Sequence, residues 1–558
     1  MRLPFCLAIL ILPATAFPSS TTIYDVVNYG SRIGSGLPGA GIAQGALFAV
    51  TGSSLGPDQA LQGKFPLPLT DGLGGVTITI QASTTTVSAI MVSVSANEVD
   101  AILPSSTPLG PATVMLSYAG ATAAMPITVV AAAFGIFGAA GVYNLTPDGT
   151  ATLNTLYLSA RTGQTVLISG TGLGAIASDE TMSGATDAAS AEIKVWVGST
   201  QAVVVSAGRG WCCGEINPRF PIPRGIAAWD VIAFQVPDDA AGCSVSIVVQ
   251  TATSVSNFKS FSVTQGAGTC LEEAQAGGGD AIEVSGAVKV ATINMQHSET
   301  TQTYGDFIGP PNIVGVKSVL SLASASFYRF DAGPVTVTIP SAAVLLKASV
   351  RSCTAVSLRI DRTVPIPDLP NLSGFEPIDA GPALQIVAPG IEQVMQKAGG
   401  FYTAIGLASF LAPGPYTLDN ASGGVDIGPF TATLYNPTPV TWDNMAQSRT
   451  VDRSVGVTLR WSGGDPDGVL VISGTSILIQ ENNVTSGASF SCYARVSAGQ
   501  FTVPGFITQQ LPASNPQFAS LGGEIRLCAT VADLAKIPGV DVTFYNSLQS
   551  VGATVVFQ

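Results

Sequence analysis

The chain has 558 residues, of which 11% are charged, and its 23 Lys and Arg against 36 Asp and Glu leave a formal net charge of −13. So few cations argue against sequence-independent DNA or RNA binding, where Lys and Arg must displace counterions from phosphate, and against docking on anionic lipid. A single histidine, His297, excludes metal centres built on several imidazoles, and a chain this long exceeds one hydrophobic core, so about three to five domains are expected.

Arg2 precedes an apolar run from Leu3 to Leu12, and Ala14-Thr15-Ala16 offers a small-x-small cleavage site before Phe17. This is the pattern of an export signal over residues 1–16. No later apolar run approaches the roughly 20 residues needed to cross a bilayer as a helix. The mature chain is therefore expected to be secreted or held at the cell surface, with no transmembrane segment.

Residues 17–133 form the first expected module. Apolar and polar residues alternate over 76–80, 112–118 and 126–130, the period-2 pattern of strands with one buried face. Val50-Thr51-Gly52-Ser53-Ser54-Leu55-Gly56 is nearly repeated as Ile168-Ser169-Gly170-Thr171-Gly172-Leu173-Gly174, 118 residues on. That offset is close to the length of one sandwich domain, so residues 134–269 read as a second copy, with strands at 193–197 and 245–249. Pro104 and Pro237 close matching strands 133 residues apart, so the second copy carries about 15 extra residues. They fall in 211–225, a Pro-rich loop with two cysteines at one end. Its Trp211, Arg219, Phe220 and Arg224 are the candidate binding residues, because loops carry recognition on a rigid sandwich.

Glu272 to Gly279 reads as a linker. The region 270–450 is again β-rich, with strands at 335–339 and 430–434, and 390–397 is the one stretch given a helical reading. Residues 451–558 read as a further sandwich with strands at 455–461, 489–496, 500–503, 524–529 and 540–545. Seven cysteines follow the signal: Cys212, Cys213, Cys243, Cys270, Cys353, Cys492 and Cys528. Disulfides are the default for an exported chain, and an odd count leaves at least one thiol free or paired between chains. A Cys492–Cys528 bridge would staple the last sandwich by about 2–4 kcal/mol.

These motifs resemble the immunoglobulin-like repeat of secreted acidobacterial (Solibacter-type) proteins, related in fold to IPT/TIG domains. In the first module the resemblance rests on Val26-Val27-Asn28, the 50–56 motif, Leu67-Pro68-Leu69, Leu73-Gly74-Gly75-Val76 and Phe134-Gly135-Ile136-Phe137. Its longest match runs from Val94 to Pro104, where the family usually carries amides in place of Glu98 and Asp100. The second module is similar to a related form through 170–174, Ala207-Gly208-Arg209 leading into Cys212-Cys213, Gly242-Cys243, Val255-Ser256-Asn257-Phe258 and Cys270. The Pro-rich insertion after Gly214 departs from that pattern. The final third resembles the C-terminal region of the same proteins at Asp379-Ala380-Gly381-Pro382, from Trp461 to Gly468, and at Phe501-Thr502-Val503-Pro504. The resemblance spans most of the chain and implies fold and export, but no activity or catalytic residue. It also implies two bridges among Cys212, Cys213, Cys243 and Cys270, in an open order.

Chemistry is sparse. Gly52-Ser53-Ser54-Leu55-Gly56 fits the nucleophile elbow, yet Pro57-Asp58 follows where a helix should start, and the second copy has Gly172 in place of Ser54. A tight turn is expected. His297 reads as a lone surface histidine, with no nucleophile or orienting acid identifiable beside it. Asp465-Pro466-Asp467-Gly468 offers oxygen ligands of the kind calcium takes but reads better as a turn. No carboxylate pair suited to glycoside hydrolysis stands out, and the sequons at Asn144 and Asn483 read as incidental in a bacterial chain. The fold class expected is all-β, tandem immunoglobulin-like β-sandwich modules. The function expected is a non-catalytic extracellular structural or binding protein, with no cofactor or metal and an extracellular polysaccharide or protein as partner. Two alternatives are a carbohydrate-active enzyme or accessory working through the C-terminal half, and a surface subunit that assembles through sheet edges.

Overall fold

The computed structural model describes residues 21–138, 141–182, 187–210, 228–252, 254–266, 268–270, 272, 281–302, 316–331, 333, 337–340, 350–361, 375–406, 410–479, 484–514 and 523–558. The export signal expected over 1–16 lies outside them. The chain is all-β, built of stacked sheets. No helix among the described residues is long and apolar enough to cross a membrane.

The first module is a sandwich of two five-stranded sheets. One runs in the order Thr22–Asn28, Leu47–Ser53, Glu98–Ile102, Ile90–Val94, Leu61–Gln62, and the other Ile42–Ala43, Ala121–Val130, Gly110–Tyr118, Val76–Ala82, Thr85–Ser88. The alternation legible in the sequence sorts the faces. Val76, Ile78, Ile80, Val114 and Leu116 of one sheet meet Phe48, Val50, Val99 and Ala101 of the other, as expected of strands with one dry face.

The second module repeats the order of strands, but Thr200–Arg209 pairs with both Lys194–Val197 and Asp230–Gln235 and so joins the two halves into one 11-stranded sheet. Leu47–Ser53 recurs as Thr165–Thr171 and Ile42–Ala43 as Ala160–Arg161, both 118 residues on. In each copy that two-residue strand pairs parallel with the module's last strand. Glu98–Ile102 recurs as Asp230–Gln235, ending 133 residues on, so the extra length precedes that strand. Val166, Ile168, Val195, Ile232, Phe234, Ile247 and Val249 fill the core.

Beyond residue 280 a 13-stranded sheet draws strands from both sides of residue 450. Val542–Thr554 sits between Gly523–Leu534, its antiparallel neighbour, and Ala287–Gln302, with which it runs parallel. The sheet curls, and the Tyr545 hydroxyl donates to the Tyr435 carbonyl in the far edge strand Thr431–Asn436 at 2.7 Å. This closes a core of Ile293, Met295, Phe327, Tyr402 and Leu418. At the other end, a three-stranded sheet of Val440–Trp442, Gly456–Gly463 and Gln500–Pro504 covers a second core around Trp461, Phe490 and Leu527. The second module packs onto this body: Trp196 stacks on Phe506 at 4.7 Å, and Ser246 donates its N–H to Ser352 Oγ at 3.0 Å.

Two expectations are corrected. Residues 390–397 are not helical but form the strand Ile391–Ala398, which pairs with Ala383–Ala388 and Phe401–Gly406. The reason is the two-residue turn Pro389-Gly390, where Gly390 stands at φ +76°. Such a hairpin turn fixes the register of both strands. Nor does Cys492 bridge Cys528: among the described residues the bonded pairs are Cys353–Cys492 and Cys243–Cys270, and Cys528 is a buried free thiol. The strand Val469–Ile479 lies between those of Cys492 and Cys528, so their sulfurs cannot meet. Cys243–Cys270 ties the second module's strand Gly242–Gln250 to the residue that follows the module. Cys212 and Cys213 lie outside the described residues.

Candidate functional site

Buried polar side chains of both repeats meet where the repeats join, at the foot of the 211–225 insertion. The glycine motif of the second copy forms the joint. A Cβ on Gly170 would stand 2.2 Å from the Gly135 carbonyl oxygen, and one on Gly172 would stand 2.2 Å from that of Ala133. Backbone thus lies directly on backbone, and Gly172 also holds φ +107°, a conformation costly for any residue with a Cβ. Ser54, its counterpart in the first copy, stands at φ +55°. The shared requirement is the turn.

Polar side chains lock the joint. Leu47 donates its N–H to Thr171 Oγ1 at 2.8 Å, and Asn28 Nδ2 donates to the Ala133 carbonyl at 3.0 Å. Below them the Asp230 carboxylate accepts the N–H groups of Gly172 at 2.7 Å and Leu173 at 2.9 Å, and Arg209 Nε–H at 2.5 Å. Arg209 Nη2 reaches across to the Gly45 carbonyl of the first module at 2.6 Å. The side chains of Arg209 and Asp230 are only 4% and 1% exposed. A buried ion pair is tolerable when further hydrogen bonds satisfy its polar atoms; here Asp230 Oδ2 takes two backbone N–H groups and Arg209 Nη2 reaches the Gly45 carbonyl. Ser105 adds a second clasp, donating its N–H and hydroxyl to Glu180 at 2.9 and 2.8 Å.

The insertion leaves and re-enters beside this lock. Gly210 donates its N–H to the Trp229 carbonyl at 2.7 Å. Ala228 packs with Leu47, Leu67, Ile90 and Ile102 on the outward face of the first module. Phe137 bridges Tyr29 and Trp229, with ring centroids 5.9 and 4.7 Å away, and the Arg32 guanidinium lies 4.5 Å over the Tyr29 ring. Arg32 also forks onto Glu98 at 3.0 and 2.9 Å. The predicted binding residues Trp211, Arg219, Phe220 and Arg224 lie outside the described residues.

Asp100, two residues from Glu98 on the same face, accepts the Ser93 hydroxyl at 2.5 Å, while its Oδ1 is buried without a hydrogen-bond partner. Burial pushes this carboxyl up to about 6; the Ser93 hydrogen bond opposes the rise, Glu98 adds to it, and Arg32 opposes it. A folded-state value above the unfolded one means that this group's contribution to stability is complete below about pH 4 and lost as the pH rises through about 6. Asp100→Asn removes that loss. Relative to the parent, the variant is expected to gain about 2–3 kcal/mol at pH 7 and nearly nothing at pH 4, measured by urea unfolding across that range. A gain that does not change with pH would show that Asp100 ionises normally.

His297 is not the lone surface residue expected. Its Nδ1 lies 2.8 Å from Ser321 Oγ and its Nε2 lies 3.8 Å from Glu299 Oε1, with its side chain 12% exposed. The sequence hid this grouping because Ser321 arrives by cross-strand register opposite His297. It has the members of a hydrolytic triad without the access. Ser321 is fully buried, and Phe410 packs over Gly406, its neighbour on the next strand. No substrate carbon can approach that hydroxyl, so the histidine serves to satisfy it. Asp465 accepts the Asp467 N–H at 3.1 Å in its own turn. Asn144, in a sequon, is buried with its amide donating to the Leu158 carbonyl at 2.9 Å, closed to glycosylation in the folded chain.

No protein-family profile and no curated protein sequence matches the chain. Among solved structures it is similar to SGBP-B from a complex xyloglucan utilization locus in Bacteroides uniformis, at 11% identity over 70% of this chain and 87% of that one, with a TM-score of 0.16. It is similar to domains 1–6 of the surface layer protein SbsC at 10% identity over 97% of this chain and 55% of that one, TM-score 0.18. It is also similar to the N-terminal eight Ig domains of Down Syndrome Cell Adhesion Molecule at 8% identity over 96% and 57%, TM-score 0.13.

Proposed function

We propose that the chain is an extracellular, non-catalytic display protein, in which two rigidly joined immunoglobulin-like modules present the 211–225 insertion to an extracellular polysaccharide or protein. The observation that carries this reading is the sealed Arg209–Asp230–Gly45 lock, whose members Arg209 and Asp230 flank the insertion. A loop rooted on a rigid joint loses less entropy on binding than one on a hinge. Export is supported by the signal pattern over 1–16 and by the Cys243–Cys270 and Cys353–Cys492 disulfides, which persist in oxidising compartments. The resemblance to secreted acidobacterial repeats agrees with it.

The test uses purified Phe17–Gln558 with a panel of extracellular polysaccharides and proteins, scoring both retention and release of soluble products. Retention without product is expected. Replacing Trp211, Arg219, Phe220 and Arg224 together by alanine is expected to weaken retention at least about tenfold, since aromatic and arginine anchors dominate binding energy. Product release would sink the non-catalytic reading, and undiminished retention would sink the loop as the contact.

A further inference from the structure

The outward face of the 13-stranded sheet carries a surface that the insertion loop does not account for. The odd-numbered residues Ala291, Ile293 and Met295 and their partners Ala323, Ala325 and Phe327 point into the core. The even-numbered residues of these strands therefore share the opposite face. Cross-strand register lines them up in rows perpendicular to the strands. One row reads Asn546, Asn294, Ser324, Thr403, Gln396 over five adjacent strands. The row on one side reads Phe544, Thr292, Ser326, Phe401, of which Ser326 is buried and Phe544 packs against Val290 and Val542, so its open end is Phe401; the row on the other side reads Leu548, Gln296, Leu322, Ile405. These three rows contain no ionisable side chain.

The middle row is a ladder of amides and hydroxyls. Asn546 Nδ2 donates to Asn294 Oδ1 at 3.2 Å, and Asn294 Nδ2 donates to Ser324 Oγ at 3.5 Å. Rings gather at one end: Phe401 is 52% and Phe375 47% exposed, each 6.3 Å from the Tyr328 centroid, and Phe330 lies 5.3 Å from Phe375.

We infer that this face binds a linear, uncharged polysaccharide lying across the strands. Neighbouring strands are about 4.8 Å apart, so an extended chain on the middle row meets a fresh amide or hydroxyl at every strand. Sugar hydroxyls pair with such groups without needing charge, and the C–H faces of the rings of a glycan settle on exposed aromatic carbon. A protein partner is the less suited occupant. Its hot spots favour Trp, Tyr and Arg packed into a dry centre, whereas here the centre is the polar row, and no arginine or tryptophan stands in any of the three rows. The inference specifies the polysaccharide arm of the proposed function and adds a second contact, independent of the insertion.

Native gel electrophoresis of Phe17–Gln558 through gels containing soluble uncharged β-glucan or galactomannan tests it, with alginate as the charged control. Retardation by at least one neutral polymer is expected, insensitive to added NaCl. Phe401→Ala removes an exposed ring, and Thr403→Ala with Gln396→Ala removes exposed polar ends. Each variant is expected to weaken binding about five- to tenfold with an unchanged melting midpoint. The alanine-substituted insertion should still be retarded, and the retardation that remains should be lost when Phe401→Ala is added to it. Retardation that survives the Phe401 and Thr403/Gln396 changes but vanishes with the insertion overturns the inference and leaves the display reading standing. Absence of retardation by any neutral polymer also overturns it, and retention on the protein panel then still supports display. A sedimentation shift from dimer to monomer on Phe401→Ala would overturn it in favour of contact between copies of the chain.

Discussion

Arg209→Ala is expected to lower the unfolding free energy of the joined modules by about 3–5 kcal/mol, the usual penalty for removing one partner of a buried pair. The loss has three parts. The Asp230 carboxylate, 1% exposed, keeps only the Gly172 and Leu173 N–H groups. The Gly45 carbonyl loses the guanidinium it accepts from, and the volume of a long side chain empties. Replacing both Arg209 and Asp230 by apolar residues does not rescue the site, as it can for an isolated buried pair. Asp230 also caps the glycine turn, and two orphaned N–H groups cost about 1–3 kcal/mol each. Guanidinium unfolding followed by tryptophan fluorescence measures the effect. The same variant should be cleaved faster by protease within 211–225, because its two roots would no longer be clamped. A loss below about 1 kcal/mol would mean that the pair is solvated and the joint loose.

The strands were legible because alternation is a local signal, and the repeat was legible because the 118-residue offset preserves strand and turn together. The glycine motif was readable as a turn from Gly172 standing where Ser54 stands. Its use as a joint was not, since Gly135, Gly45 and Asp230 reach it only through folding. The helical reading of 390–397 failed for a definable reason. Ile391, Val394 and Met395 have i, i+3, i+4 spacing, which mimics an amphipathic helix, but the Pro389-Gly390 turn commits the segment to a hairpin. Glu98 and Asp100 were visible as departures from the amide pattern of the resembling family, while the burial that raises Asp100 arises only on folding, which also sets Ser93 of the Ile90–Val94 strand beside it to oppose the rise. His297 and Ser321 meet by register alone, which no single-strand pattern reveals.

Loss of the Cys353–Cys492 bridge is the second large effect expected. The two residues face each other on adjacent strands with Cα atoms 4.1 Å apart and are 2% and 0% exposed. The bridge spans 139 residues of sequence, and constraining an unfolded loop that long is worth about 5 kcal/mol in the chain-entropy limit. Cys353→Ala with Cys492→Ala is therefore expected to cost about 3–5 kcal/mol, read from the denaturation midpoint. Cys528→Ala, which breaks no bridge, should cost about 1 kcal/mol. Register separates the two outcomes: Ile472 lies opposite both Cys492 and Leu527, so Cys528, opposite Val471, projects from the other face of the sheet. Burial pushes the Cys528 thiol up to about 12, so iodoacetamide should leave it unmodified in the native protein and label it after unfolding without reductant. A non-reduced digest should yield a peptide joining Cys353 to Cys492; one joining Cys492 to Cys528 would overturn the register of the sheet. The bridge also reaches beyond its own core. Ser352, next to Cys353, accepts the Ser246 N–H of the second module, whose Val248 and Val255 share the bridge's core. Reduction should therefore loosen the second module from the C-terminal body before either unfolds, and protease sensitivity between residues 271 and 280 should rise first.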